Sequence, residues 1–386
     1  MKKITTYTIC ALLFFLPWQT RWIFWPVYVN GIFFEYGSRA LYGTGILLIL
    51  VIIFLVVDFL WKKDWWAKLS GPDYFNFSLA FWAGGVVQGL FAVIQFLTQH
   101  IGANKWLGLA EHNARDLGAS VIEFGDERWL RAYGAFGSPN SLGIYLAIIL
   151  VVGFLLYRHF IADASLAVSP LRRGRIRGGS SLAITAGQLT IASGLALSFS
   201  RAAWLAAVIG CTVLFYFSAK TDRKILLKQF TYILLVFIIL FALFPKLFTT
   251  RVTAEGRLEQ KSITERQTQL SDWTKIAGTN VFSGTGYGHY TNAVMTLHPN
   301  LPAYDYQPVH NIYLLMLAEL GLPLFLSIII LIGIGIRLVY LRHPENLAII
   351  ATWLAAGMFD HWLWTMFSGL LLSLVVWFLA SKKPLE

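Results

Sequence analysis

Charge is what this sequence has least of. Asp, Glu, Lys and Arg make up 13% of the 386 residues, about half the share of an ordinary soluble domain. Such a deficit argues against a surface solvated on all sides by water. Cysteine is almost missing too: Cys10 and Cys211 are the only two and fall in separate apolar runs. Neither a disulfide framework nor a cysteine metal site is therefore indicated. There is also no glycine-rich nucleotide-phosphate loop, no histidine or cysteine cluster at zinc spacing and no serine-hydrolase elbow. No metal and no cofactor is expected.

What is present is apolar length. Hydrophobic residues reach 57% and aromatics 16%, with a mean hydropathy of +0.62. A membrane span needs about 20 mostly apolar residues. Runs of that kind cover roughly 42–61, 74–98, 139–157, 182–199, 202–219, 229–245, 311–336, 346–359 and 364–380, and a shorter one opens the chain up to Trp18. No small-residue cleavage site follows that first run, so it reads as an uncleaved span. Trp and Tyr gather near run ends, as in interfacial belts. The expectation is one integral membrane domain over 1–386, all-α and polytopic, with about ten transmembrane helices and both termini on one side.

The net charge of +11 could suggest nucleic acid, but the basic residues sit in short clusters between runs, where topology and anionic lipid explain them better. Clusters at Lys2 and Lys3, Lys62, Lys63 and Lys68, Arg158 with Arg172 to Arg177, Lys220 to Lys228, Arg337 and Arg342, and Lys382 and Lys383 all fall on the side of the termini. The short loops opposite keep only Arg21, Arg39 and Arg201. The termini are therefore expected in the cytoplasm, in a bacterial inner membrane.

Two segments on the outer side, roughly 99–138 and 246–310, are too long to be simple connectors. Both carry Trp, Tyr, Phe and Leu among their charges, so neither has the composition of a disordered tract. Within the second, Arg266, Leu270, Trp273 and Ala277 recur at spacings that share one helix face, which predicts a short amphipathic helix over Thr264–Ala277. The glycine-rich turn at 284–288 closes it.

Three positions carry the strongest chemical signal. Arg201, in SFSRAAWLA, separates two apolar runs with almost no loop. It is either a snorkelling anchor or a phosphate-holding guanidinium. Thr185, Gln188, Thr190 and Ser193 on the preceding run suggest that it faces protein or a cavity. Arg266 is either a solvated helix charge or, beside Leu270 and Trp273, a group near the buried side. His310, in PVHNIYLLMLAELG, opens a long span. It is either a packing residue or a base kept neutral by the positive end of the helix, where anions also bind.

Supporting candidates are weaker. Glu319 lies within the same span and should face the bundle interior. Arg131 precedes a turn where Ser138 and Pro139 suit the N-cap and first position of the next helix. Trp273 shares the helix face of Arg266, and Asp360, with His361, falls in the last outer turn, where a carboxylate could orient a base or bind a helix end. His289 and His298 lack metal-ligand spacing.

Taken in order, LRAYGAFGSPNSLGIYLA, LSFSRAAWLA, ERQTQLSDWTKIAGTNVFSGTGYGHY and PVHNIYLLMLAELGLPLF resemble the O-antigen ligase family, which includes O-antigen polymerases and protein O-oligosaccharyltransferases. The likeness spans roughly residues 100–340, with WQTRWIF, EYGSRALYGT and MFDHWLW as further echoes. It implies a metal-independent, inverting glycosyltransferase without a cofactor, working at the periplasmic face. The donor it implies is a glycan on undecaprenyl pyrophosphate. The acceptor is a hydroxyl of another glycan, of lipid A core or of a protein. Carried over by motif, Arg201 and Arg266 would hold the pyrophosphate and His310 would be the base. A lipid-linked glycan flippase is the competing class. It would place its ionisable groups near the membrane midplane and show repeated halves. A non-catalytic scaffold is a third reading. Ligase and polymerase need the same site, and the acceptor, glycan and oligomeric state are not legible in these residues.

Overall fold

The computed structural model describes residues 2–61, 71–166 and 170–382. The expected cytoplasmic positions Lys62, Lys63, Lys68 and Lys383 lie outside the described residues. The chain is dominated by helices: α1 (Lys2–Phe15), α2 (Gly43–Trp61), α3 (Gly71–Thr98), α4 (Pro139–Leu166), α5 (Pro170–Leu197), α6 (Arg201–Phe217) and α7 (Lys220–Leu243) in the first part. After them come α8 (Pro245–Thr253), α9 (Arg257–Thr279), α10 (Tyr290–Leu297), α11 (Ile312–Arg342), α12 (Leu347–Gly357), α13 (Trp362–Thr365) and α14 (Phe367–Ala380).

Five stretches among the described residues are long and apolar enough to cross a membrane: Gly43–Leu60, Asp73–Thr98, Pro139–Arg158, Lys220–Leu243 and Ile312–Arg342. Shorter apolar helices cover Lys3–Phe15, Ser181–Leu197, Arg201–Phe217 and Phe367–Ala380. The expected run at 346–359 yields only the 11-residue α12. Helices that are apolar all round are either buried in protein or wrapped in lipid, and both kinds occur. Nearly every side chain of α4 from Leu142 to Leu156 is buried, packed among α3, α5, α6 and α12. By contrast α2, α7 and α11 bury only a minority of their apolar side chains, as a lipid-facing ring would.

Several polar residues inside this bundle are bonded where water is scarce. Gln188 of α5 is buried, donates to the Leu150 carbonyl and accepts from the Trp82 indole. Gln229 of α7 donates to Thr185, while Thr190 and Ser193 bond carbonyls of their own helix. On α3, Gln95 accepts from the amides of Tyr133 and Gly134, and Gln88 from that of Ala135. These bonds fix the turn before α4, where Ser138 Oγ accepts from the Ser141 amide and Pro139 takes the first helical position.

The purely helical expectation needs amendment at one end of the bundle. Segment 99–138 folds as two hairpins, β5 (His100–Ile101) with β6 (His112–Asn113) and β7 (Val121–Phe124) with β8 (Glu127–Leu130). The N-terminal connector forms two more, β1 (Arg21–Trp25) with β4 (Arg39–Tyr42) and β2 (Tyr28–Val29) with β3 (Ile32–Phe33). The amphipathic helix is α9 and is longer than the expected 264–277. Its buried face carries Asp272, Ile276 and Ala277 with Trp273 beside them, whereas Leu270 is exposed. The three irregular segments meet: α8 and α9 pack against β7, Arg257 pairs with Glu123, and Thr20 donates to the Trp106 carbonyl.

Candidate functional site

At that end of the bundle, Phe199 adopts a left-handed conformation (φ 48°), and the sharp turn sets Arg201 as the first residue of α6. Ser200 stands in the cap position without capping the helix, and its buried hydroxyl has no hydrogen-bond partner among the described residues. The unpaired amides of a helix start form a partial positive charge. Here they open onto a cavity of about 210 Å³ lined by Ser200, Arg201, Ala202, Arg251, Arg266 and Asn140.

The two expected arginines therefore share one cavity, together with a third. Arg251 sits on α8, where Leu247 and Phe248 are buried beside it. Its Nε donates to the Phe199 carbonyl at 2.7 Å and a terminal nitrogen pairs with Glu259. Arg201 donates to the Arg251 carbonyl at 3.0 Å and to the other oxygen of Glu259 at 3.1 Å. Glu259 thus orients two guanidiniums with one carboxylate. Arg251 was missed because α8 is short and polar. The available signal was Leu247, Phe248 and Arg251 at i, i+1 and i+4, which puts a cation on an apolar face.

Arg131 lies behind this cavity. It is buried, donates to the Ser198 carbonyl at 2.9 Å and to Asn140 Oδ1 at 2.8 Å, and so places the Asn140 side chain. Asn140 is also on the wall of a larger cavity of about 530 Å³, and His310, Asp360, His361, Tyr36 and Trp362 line that second space. His310 and the arginines therefore occupy adjoining cavities rather than a single one. Arg266 faces both groups electrostatically, since its charge acts on His310 and that of Asp360 acts on it.

His310 precedes α11 but does not cap it. Asn311 does, accepting from the amides of Tyr313 and Leu314 at 2.9 and 3.1 Å. The expected influence of a free helix start on the imidazole is thus largely taken up by Asn311. What keeps His310 neutral is burial first and the neighbouring His361 second, with Arg266 adding to both against Asp360 and Glu265; together they push its pKa down to about 4. The His310 and His361 rings meet edge to face at 5.0 Å. His310 Nδ1 lies 2.7 Å from the Gln269 side-chain oxygen. His361 Nδ1 bonds Thr365 Oγ1 at 2.9 Å, and burial lowers its pKa as well.

The remaining candidates have structural partners. Asp360 Oδ1 accepts from the amide of Trp362, the first residue of α13, at 2.8 Å, and Asp360 also lines the larger cavity. The Trp273 indole donates to the Leu314 carbonyl at 2.7 Å and fastens α9 to α11. Glu319 lines neither cavity. It is buried, accepts from the Trp364 indole at 2.8 Å and receives the amides of Gly288 and Tyr290, so it holds the glycine turn to α11. His298 pairs with the buried Asp272 at 3.0 Å and ties the following loop to α9.

Neither a curated protein nor a solved structure matches the chain. One family model does, over residues 186–329, a stretch that contains Arg201, Arg251, Arg266, Gln269 and His310 but not Asn140 or Asp360. That model describes the O-antigen ligase family, to which residues 186–329 of this chain are similar.

Proposed function

We propose that this protein is a glycosyltransferase of the bacterial inner membrane that moves a glycan from undecaprenyl pyrophosphate to an acceptor hydroxyl at the periplasmic face. One observation carries the reading: three guanidiniums and a free helix start converge on one cavity, and a neutral histidine stands on the wall of the next. Pyrophosphate is a good leaving group when its growing charge is met. Arginines already oriented by Glu259 and backbone carbonyls meet it without reorganising during the reaction.

The acceptor lies on the His310 side. Its oxygen forms the new bond to the anomeric carbon as its proton passes to the imidazole. The bond from that carbon to the pyrophosphate oxygen breaks, and the electron pair leaves with the lipid pyrophosphate between the arginines. His310 then releases its proton to water. Displacement from the opposite side inverts the anomeric centre. A positioned base contributes about 10²–10⁴-fold.

The gathering of these groups at one end of the helices, with Asn140 shared between the two cavities, favours an enzyme over a flippase, which would hold its charges near the midplane. Purified protein given undecaprenyl-pyrophosphate glycan and acceptor should transfer it without ATP and with EDTA present. His310→Ala should abolish transfer while the protein remains folded, and Arg201→Lys should impair it because an ammonium cannot form paired contacts. Normal transfer by His310→Ala would overturn the base assignment. Deleting the gene separates the two forms of the reaction: long unattached chains mean a ligase and single-unit chains a polymerase.

A further inference from the structure

The side chain that faces the second nitrogen of His310 belongs to an element already placed in the site. On α9, Gln269 follows Arg266 by three residues and precedes Trp273 by four, so all three share a face. Across from them His310 and Leu314 are also four residues apart. The Trp273 indole bonds the Leu314 carbonyl, and one turn away Gln269 Oε1 lies 2.7 Å from His310 Nδ1. The two bonds form successive rungs between α9 and the start of α11. The Trp273 rung fixes the register, and the Gln269 rung is delivered to the imidazole by it.

We propose that Gln269 is a positioning residue of the transfer reaction: its side-chain oxygen accepts the Nδ1 proton of His310, leaving Nε2 as the nitrogen that receives the acceptor's proton. This rests on the reading of His310 as the base. An imidazole has two nitrogens, and the hydrogen bond made by one decides which carries the lone pair. The bond also holds the ring plane. A neutral amide does this without stabilising the imidazolium as a carboxylate would, and without placing a second negative charge beside the incoming pyrophosphate. The charged and titratable groups facing His310 are Glu265 and Arg266 on α9 and Asp360 and His361 on the turn before α13. Tyr36, 3.5 Å from His361, and Arg21, Glu35, Tyr42, His112 and Tyr133 on the walls of the same cavity are the others. None of them is bonded to Nδ1.

Gln269→Leu and Gln269→Glu in the full-length, detergent-solubilised protein test this in two ways. The first uses no substrate: the rate of carbethoxylation of His310 by diethyl pyrocarbonate, followed by mass spectrometry against pH, reads the proton affinity of the ring. The midpoint should rise by a unit or more with Glu and fall with Leu. The second is transfer. Gln269→Leu should lower kcat by roughly 10²-fold, the scale of a misdirected base, with the donor KM unchanged because the arginines remain. Gln269→Glu should retain measurable turnover with its acid limb moved to higher pH. Unaltered midpoints in both variants, or full kcat in Gln269→Leu, would overturn the proposal. If the Leu variant does not fold, the Glu titration decides alone. Failure here differs from failure of the base assignment itself, which would show as normal transfer by His310→Ala whatever Gln269 does.

Discussion

The proposed role of His310 as a base requires a neutral imidazole, and its surroundings favour one by burial, by His361 and by Arg266. The folded pKa lies below the ordinary 6.5, at about 4, so the folded state binds fewer protons than the unfolded one in that interval. Stability is then complete above pH 6.5 and declines as pH falls toward 4. The same arrangement sets the rate profile. In the free enzyme the acid limb of kcat/KM should fall well below pH 6.5. In the donor complex the pyrophosphate offsets the charge of Arg266, so the limb of kcat should sit higher than that of kcat/KM. Coincident limbs at or above 6.5 would contradict this electrostatic picture. Glu259 is the second residue whose loss should be conspicuous. It is 6% exposed, as the shared partner of Arg201 and of Arg251, itself only 10% exposed. Glu259→Ala leaves a buried guanidinium unpaired and should cost about 3 kcal/mol, read as a lowered unfolding midpoint in detergent. Glu259→Gln, which keeps a hydrogen-bond acceptor, should lose less.

Among the elements, α11 shows how a single interruption holds the glycine turn at 284–288. Its 31 residues would extend about 46 Å, well beyond the roughly 30 Å of a bilayer's apolar layer. The helix breaks at Gly321 (φ 72°, ψ 167°), just before Pro323. Pro323 has no amide to offer the Glu319 carbonyl, which instead accepts from Gly286 at 2.9 Å. The Ala318 carbonyl takes the Thr285 amide, and Leu322 donates to Val281 at 2.7 Å. These three backbone groups at the break are thus bonded to the glycine turn and to Val281 just before it, as buried backbone requires. A Cβ at Gly321 would stand 2.2 Å from the Phe282 carbonyl, and one at Gly284 the same distance from that of Glu319. Gly321→Ala should therefore cost at least about 2 kcal/mol and reduce transfer. A wild-type melting temperature in that variant would refute this role. The long apolar helices were legible in the sequence because apolar length is a one-dimensional signal; Arg201 and His310 stood out as candidates because each stands at the edge of one, and Arg266 because apolar residues share its face of an amphipathic helix. The hairpins of 100–130 were not, since strands of two to four residues carry almost no periodicity. Gln269 was passed over because a neutral amide on a polar helix has no chemical mark until its partner, 41 residues away, is placed against it.

At the scale of the molecule, the end that bears both cavities also gathers the N-terminal hairpins, the 99–138 hairpins and α8 to α10, while the opposite end carries short turns rich in positive charge. Lys220, Arg223, Lys224 and Lys228 lie there around the start of α7, and Arg158 at the same level pairs with Asp222 at 2.5 Å. Lys and Arg near span ends are retained on the cytoplasmic side, and each contributes about 1 kcal/mol of attraction to an anionic leaflet. The ten or so basic residues of the long segments do not counter this, because long segments translocate largely regardless of charge. The asymmetry therefore predicts that the cavities face the periplasm. In a variant with Cys10 and Cys211 replaced, a cysteine at Leu117, which is 98% exposed in the first long segment, should react with a membrane-impermeant maleimide in intact spheroplasts. A cysteine at the exposed Lys224 should react only after lysis. The reverse pattern would put the arginine cavity in the cytoplasm and remove the basis for a periplasmic glycan donor, however well the three guanidiniums fit a pyrophosphate.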